Sequence, residues 1–350
     1  MIDLKKTRIY KPSDLEKKTV QRDIIDTFSK GENVIFPTET VYGIGADALN
    51  EKGVQNIYRV KKRPSDNPLI IHLSSKEALL DYIYVDQPYI KALMDAFWPG
   101  PLTMVFRKKP IVPGHITGGL NTVGIRVPMH PVALKVLSIA NMPICAPSAN
   151  ISGRPSSTLF DHVIDDFKDR VEIIVDGGKS DVGLESTVLD VTQKNPVILK
   201  SGVITKAMIE RIIQIEVQVS DSLLKNEGPK APGMKYKHYA PKATLSVLEG
   251  SDESVIRYIN KQISSHQKNN ETTGVITTND LKTKFATEYV FDVGEKSDDL
   301  SIASNLFIAL RQMDQWNVDH IYTLSFQETM YQEAIMNRLY KAASNKIIKV

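Results

Sequence analysis

The most restrictive feature of this chain is the brevity of its apolar runs. Val34-Ile35-Phe36, Leu69 to Leu73, Leu102 to Phe106 and Val123 to Val127 are three to five residues long, too short for buried helices and bounded by proline, glycine or polar residues, so they read as buried strands. Further strands are expected at Ile144 to Ala146, Ile173 to Asp176, Ser186 to Val191 and Val197 to Leu199. Between them, apolar residues recur at helical spacing. Leu15, Val20, Ile24, Ile25 and Phe28 define a first helix over Asp14 to Lys30, with Ser13 as its N-cap and Gly31 as its stop. Helices also fit Val54 to Lys61, Lys76 to Leu80, Tyr89 to Phe97, Val132 to Ala140, Leu159 to Phe167 and Lys206 to Ile213. Strands and helices are mixed rather than strictly alternating, which predicts one α/β domain over residues 1–220 with a twisted, mixed sheet.

Residues 221–242 break that pattern. They hold three prolines, two glycines and five lysines against Asp221 and Glu227, the composition of a linker. Their surplus of +3 equals the net charge of the whole chain. The remainder, 243–350, alternates regularly: strands at Leu245 to Leu248, Gly274 to Thr277, Tyr289 to Asp292 and His320 to Leu324, helices at Ser254 to Ser265, Ile302 to Trp316 and Glu328 to Ala343. That is the pattern of a small parallel α/β domain. The turn after its first strand, LEGSDES, has a single glycine, so a Rossmann-like shape without dinucleotide function is expected.

Composition narrows the function. With 42% hydrophobic and 24% charged residues the chain is neither disordered, collagenous nor a coiled coil. A net charge of +3 is too small to make nucleic-acid binding the default. The single cysteine, Cys145, allows no internal disulfide and no cysteine metal cluster, as suits a reducing compartment. The charged amino terminus does not resemble a signal peptide, and no apolar stretch approaches the roughly 20 residues of a membrane span. A cytoplasmic location, away from the membrane, is expected.

Several familiar motifs fail on inspection. Gly178-Lys179-Ser180 lacks the earlier glycine of a phosphate loop, since that position is Ile173. Gly43-Ile44-Gly45 lacks the third glycine of a dinucleotide fingerprint and reads instead as a tight turn before a helix. The seven histidines are scattered without metal-binding spacing, and metal ligands stay unassigned. What remains is a set of polar strings at strand ends: PTETVYGIGADA (37–48), KKRPSDNPLIIH (61–72), TVGIRVP (122–128), APSANISGRPSST (146–158) and GLESTVLDV (183–191). Hydroxyl-rich or cationic loops at five strand ends of one domain are expected to line a single site. Its cations suit an anionic ligand such as a triphosphate. Arg126, in an apolar strand, must pair with a buried acid or face a carboxylate or phosphate. No nucleophile–base pair stands out, so catalysis by positioning and electrostatics is expected.

Taken in order, these strings and the linker's APGMKYKHYAP (231–241) resemble the threonylcarbamoyl-AMP synthases, the YrdC-like family, in its long two-domain form. The resemblance implies a YrdC-like twisted mixed-sheet domain joined by a long linker to a smaller Rossmann-like parallel α/β domain. It implies an enzyme that combines L-threonine, bicarbonate or carbon dioxide, and ATP with its Mg2+ into threonylcarbamoyl-AMP and pyrophosphate, for modification of tRNA next to the anticodon by a separate downstream transferase. Carried over position by position, Thr40, His72, Arg126 and Ser186 hold threonine. Lys61, Arg63, Asn67, Thr122, Ser148, Asn150, Ser156 and Lys200 surround ATP, with Lys61 and Arg63 in the catalytic role. Lys200 stands where the family commonly has arginine, which keeps the charge but loses the bidentate fork. Tyr236 and Tyr239 of the linker resemble a lid over the nucleotide. The competing readings are an RNA-binding module of the same fold, with weak tRNA binding and little catalysis, and an adenylate hydrolase, for which no base is evident.

Overall fold

The computed structural model describes residues 6–220, 238–326 and 330–350. These divide into two compact units, the first comprising 6–152, 157–181 and 185–220, the second 153–156, 182–184, 238–326 and 330–350. Each is described in turn.

The first unit carries twelve strands: β1 (Arg8–Tyr10), β2 (Val34–Phe36), β3 (Gly43–Asp47), β4 (Ile70–His72), β5 (Ile83–Tyr84), β6 (Leu102–Lys108), β7 (Thr122–Arg126), β8 (Ile144–Cys145), β9 (Ile173–Val175), β10 (Thr187–Asp190), β11 (Val197–Lys200) and β12 (Gln218–Val219). They form one sheet in the order β1-β9-β2-β3-β8-β4-β7-β6-β10-β11-β12, with β5 paired to β6. The sheet is mixed as expected: β4 runs parallel to β7, whereas β3 and β4 are both antiparallel to β8. Seven helices accompany it: α1 (Lys18–Ser29), α2 (Glu51–Lys61), α3 (Ile90–Phe97), α4 (Gly114–Thr117), α5 (Pro131–Ala140), α6 (Phe160–Phe167) and α7 (Lys206–Ile213). Phe28 of α1 and Val136 of α5 share a buried cluster with Phe36 and Val175, while Ile57 of α2 packs into a second cluster with Ile71, Ile125 and Met104.

Four sequence expectations are corrected here. The first helix is split into a 3-10 turn, Pro12–Glu16, and α1, whose N-cap is Lys17 rather than Ser13. Asp14 accepts the Lys11 backbone N–H at 2.9 Å and the Lys17 ammonium at 2.8 Å, closing a separate turn that still buries Leu15. Residues 43–45 belong to strand β3, not to a turn. A Cβ on Gly45 would lie 2.8 Å from the Phe36 ring and 2.9 Å from Ile144 Cγ2, so the glycine is demanded by the strands on either side. The expected helix at Lys76 to Leu80 is a 3-10 turn over Glu77–Asp81. Finally, β1, β5 and β12 are strands of two or three residues that are not expected from the sequence.

The second unit has five strands, β13 (Thr244–Glu249), β14 (Thr273–Thr277), β15 (Val290–Asp292), β16 (His320–Leu324) and β17 (Ile347–Lys349). All pair in parallel, in the order β15-β14-β16-β13-β17. This is the expected parallel α/β domain, extended at one edge by β17. Its helices are α8 (Asp252–Lys268), α9 (Asp299–Trp316) and α10 (Gln332–Ala342); residues 327–329, at the expected start of the last helix, lie outside the described residues. The strap 153–156 is held within this unit by Arg311 of α9, whose Nε and Nη2 donate to the Pro155 carbonyl at 3.1 and 2.8 Å. No helix among the described residues is long and apolar enough to cross a membrane.

Candidate active site

The centre of the first unit is built around β4, β7 and β8. Parallel pairing of β4 with β7 sets His72 beside Arg126, and antiparallel pairing with β8 sets His72 beside Ile144. Arg126 is buried, and its guanidinium is fixed from three sides. Nε donates to Gly100 O at 3.1 Å, Nη1 to Thr40 Oγ1 at 2.9 Å, and Nη2 lies 2.6 Å from Glu39 Oε1. The last approach is an ion pair off the hydrogen-bond axis, and neither Glu39 oxygen has a hydrogen-bond partner among the described residues. Sequence reasoning places Arg126 next to either a buried acid or a ligand; the acid is Glu39, a residue not singled out from the 37–48 string.

Thr40 reaches this position because its loop is tied to itself. Thr38 Oγ1 lies 2.8 Å from Thr40 Oγ1, accepts the Thr40 and Val41 backbone N–H groups, and donates to the Val41 carbonyl. His72 is buried, and its Nδ1 has no partner among the described residues. Burial, with the Arg126 charge adding to it, lowers its pKa to about 3, so the imidazole is neutral at physiological pH. Ser186 completes the group. Its hydroxyl lies 2.8 Å from Thr103 Oγ1, and Thr187 N donates to Pro101 O, next to the Gly100 that accepts from Arg126. Thr40, His72 and Arg126 are thus brought together, with Ser186 bonded to Thr103 on β6, the strand beside β7.

The cationic and amide residues form a second group. α2 delivers Lys61 as its last residue, fully buried. Its ammonium donates to the carbonyls of Ser148 at 2.5 Å and Asn150 at 2.6 Å, clasping the loop after β8. In that loop Ser148 Oγ donates to Asn150 Oδ1 at 2.6 Å. Arg63 folds back on its own loop, donating to the carbonyls of Asn67 and Pro68 at 3.4 and 3.1 Å, and Asn67 Oδ1 is buried without a partner among the described residues. Thr122 opens β7, four residues before Arg126 on the same strand. Lys200 closes β11 opposite Val188.

Two expected nucleotide contacts belong to the second unit: Ser156, fully buried in the strap, and Tyr239, whose ring lies 5.1 Å from that of Phe307. Tyr236 lies outside the described residues. Cys145 is fully buried, with burial pushing its thiol up to about 12, which argues against a nucleophilic role. Among the described residues of the first unit no cluster of His, Cys, Asp or Glu has metal-holding geometry.

The fold and site together define a class: a two-domain α/β protein in whose first unit buried cations, hydroxyls and amides gather, with no serine or cysteine paired to a base among the described residues. Residues 26–202 match the Sua5–YciO–YrdC family model, described as telomere recombination, and residues 204–344 match the threonylcarbamoyl-AMP synthase C-terminal domain. Threonylcarbamoyl-AMP synthases of Pyrococcus abyssi and Bacillus subtilis are each 44% identical to this chain, over 92% and 91% of it and 93% and 92% of their own lengths. The crystal structure of P. abyssi Sua5 complexed with L-threonine superposes with a TM-score of 0.90 at 40% identity, covering 98% of this chain and all of that one. A doubly substituted variant of the same P. abyssi protein gives 0.91 at 41% identity and 98% coverage of both. The chain belongs to the threonylcarbamoyl-AMP synthase family.

Proposed function

We propose that this chain forms threonylcarbamoyl-AMP and pyrophosphate from L-threonine, bicarbonate or carbon dioxide, and ATP, with its Mg2+ arriving on the nucleotide as part of the substrate. The observation that carries the reading is the buried Arg126, oriented by Gly100, Thr40 and Glu39 beside a neutral His72. A planar guanidinium held in this way suits a small carboxylate, and the hydroxyls of Thr40 and Ser186 suit the polar groups of threonine. The relative that binds L-threonine shares this fold over its whole length. Lys61, Arg63, Asn67, Thr122, Ser148, Asn150 and Lys200 are assigned to the nucleotide; the assignment of Ser156, Tyr236 and Tyr239 to it rests on the family resemblance alone. Because Lys61 is clasped to two backbone carbonyls, its first task is to hold the Ser148–Asn150 loop in shape while adding positive charge to the phosphate end.

The chemistry needs little covalent help. Threonine's amine adds to carbon dioxide and loses a proton, giving a carbamate. A carbamate oxygen then bonds to the α-phosphorus of ATP as the bond to the β-phosphate bridge breaks, and pyrophosphate leaves. The protein's part is to align the two substrates, offset charge on the leaving group and exclude water from two hydrolysable species. The product would pass to a separate transferase that modifies tRNA.

The test is release of pyrophosphate from α-labelled ATP with magnesium, leaving out threonine and bicarbonate in turn. Release that requires both, with a labelled adenylate as product, is the expected result. Release that requires neither would make the protein a hydrolase and overturn the reading.

A further inference from the structure

The second unit holds a group of side chains that the synthase reaction does not use. His266 stands in the last turn of α8, Glu271 in the connection to β14, and His320 at the start of β16. Parallel pairing places His320 opposite Thr273 of β14. The two imidazole rings stack with centroids 3.8 Å apart at 21°. Each of the three residues offers one ligand atom, and these lie within 4.8 Å of one another.

We propose that His266, Glu271 and His320 form a binding site for a divalent transition cation of the zinc type. His320 Nε2 and Glu271 Oε2 are 3.3 Å apart, which is about the 3.3 Å edge of a tetrahedron drawn round zinc with bonds of roughly 2.0 Å. The donors are two imidazoles and one carboxylate, a set that selects zinc-like ions over magnesium, which prefers an all-oxygen shell. For both in-plane lone pairs to meet one ion the stacked rings must open, His320 turning about its Cβ–Cγ bond, while hydrogen bonds around them hold the other two ligands in place. Thr273 Oγ1 lies 2.9 Å from His266 Nδ1; with that ring N–H donated to the hydroxyl, Nε2 keeps its lone pair. The Glu271 backbone N–H donates to His266 O at 3.0 Å, and Asp319, one residue before His320, holds Thr272 through both its N–H and its hydroxyl. A bound ion would pin the end of α8 to β14 and β16, and water would supply the remaining coordination.

The experiment is calorimetric titration of the chelator-treated full chain with zinc chloride alone, without ATP or magnesium. One saturable site of micromolar affinity or tighter is expected, undisturbed by excess magnesium. Glu271→Gln and His320→Gln should each weaken it by about tenfold or more, while pyrophosphate release in zinc-free buffer stays at the wild-type rate. Absence of saturable zinc binding, or either variant binding as the wild type does, overturns the proposal. A wild-type measurement covers the case of a variant that misfolds: zinc should shift the imidazole NMR signals of His266 and His320. Shifts confined to the other five of the seven histidines would place the ion elsewhere and also overturn it.

Discussion

Glu39 and Arg126 form a buried ion pair between a loop and a strand that are 87 positions apart in the chain, with 2.6 Å between Oε1 and Nη2. The carboxylate offsets the guanidinium's charge in a site almost closed to water, so the pair orients Arg126 before any substrate arrives. Removing one partner strands the other. Glu39→Gln keeps the shape but leaves a buried cation without a counter-ion, and should cost about 3 kcal/mol of stability, read from denaturant midpoints. If the variant unfolds at the wild-type midpoint, the pair contributes nothing.

Arg126→Ala bears on the substrate instead. Losing the fork should raise the threonine KM by about tenfold or more, equivalent to roughly 1.4 kcal/mol, with a smaller change in the ATP KM. Steady-state kinetics with each substrate varied in turn separates the two. Equal changes for both would remove Arg126 from the threonine site.

Lys61→Ala should act differently. The variant leaves the Ser148 and Asn150 carbonyls without the ammonium that now joins them, and each charged hydrogen bond is worth about 1.5–3 kcal/mol. The loop that carries Ser148 and Asn150 then loosens, so kcat should fall further than either KM rises. Lys61→Arg, too bulky for the same clasp, should not restore turnover. Full activity in Lys61→Ala would show that neither the clasp nor the charge matters to the reaction.

Much of this architecture is legible in the residues, for a physical reason: β2 and β9 are buried along their whole length and appear as unbroken apolar runs, and the stretches 102–106 and 123–127 of β6 and β7 are interrupted only by Thr103, Gly124 and Arg126. The edge strands do not. Arg8–Tyr10 and Ile347–Lys349 are largely exposed and carry no period that marks them as strands. β3 escapes a reading of the sequence because its glycines look like a turn, whereas Gly45 is required by Phe36 and Ile144 in neighbouring strands, which no local pattern reveals. The site is legible as a set of polar strings but not as pairs. Glu39 is the missed member, although a signal exists: one acid among hydroxyls and one arginine among aliphatics are two lone opposite charges, each expensive to bury without the other. The strap residues 153–156 and 182–184, which pack in the second unit, are invisible because a linear reading assigns neighbours in sequence to the same body.

Gly45 offers a direct check on that correction. A methyl at this position would meet Phe36 Cε1 at 2.8 Å and Ile144 Cγ2 at 2.9 Å, ring and branched side chains that are themselves packed in the core. Gly45→Ala should therefore destabilise by about 1–3 kcal/mol through overpacking. A turn glycine in open space would tolerate alanine, and a neutral result in chemical denaturation would return 43–45 to the turn reading.

His72 makes the stability of the fold depend on pH. Its pKa is lowered to about 3 by burial, with Arg126 reinforcing the shift, whereas in the unfolded chain it stays near the ordinary 6.5. Above pH 6.5 the imidazole is neutral in both states and favours neither. As pH falls from about 6.5 towards 3, the unfolded chain takes up a proton that the native state refuses, so stability declines across that window. Carboxylates titrate in its lower half, which makes the comparison with a variant necessary. His72→Asn should flatten the stability–pH curve between pH 6.5 and 4.5, where few carboxylates interfere, and should leave the slope above pH 7 unchanged. Parallel curves for the two proteins across the upper window would mean that His72 protonates in the native state as readily as in the unfolded one. The imidazole beside Arg126 would then be a cation in weakly acid solution, and its place in the threonine site would have to be argued as a charge rather than as a neutral hydrogen-bonding ring.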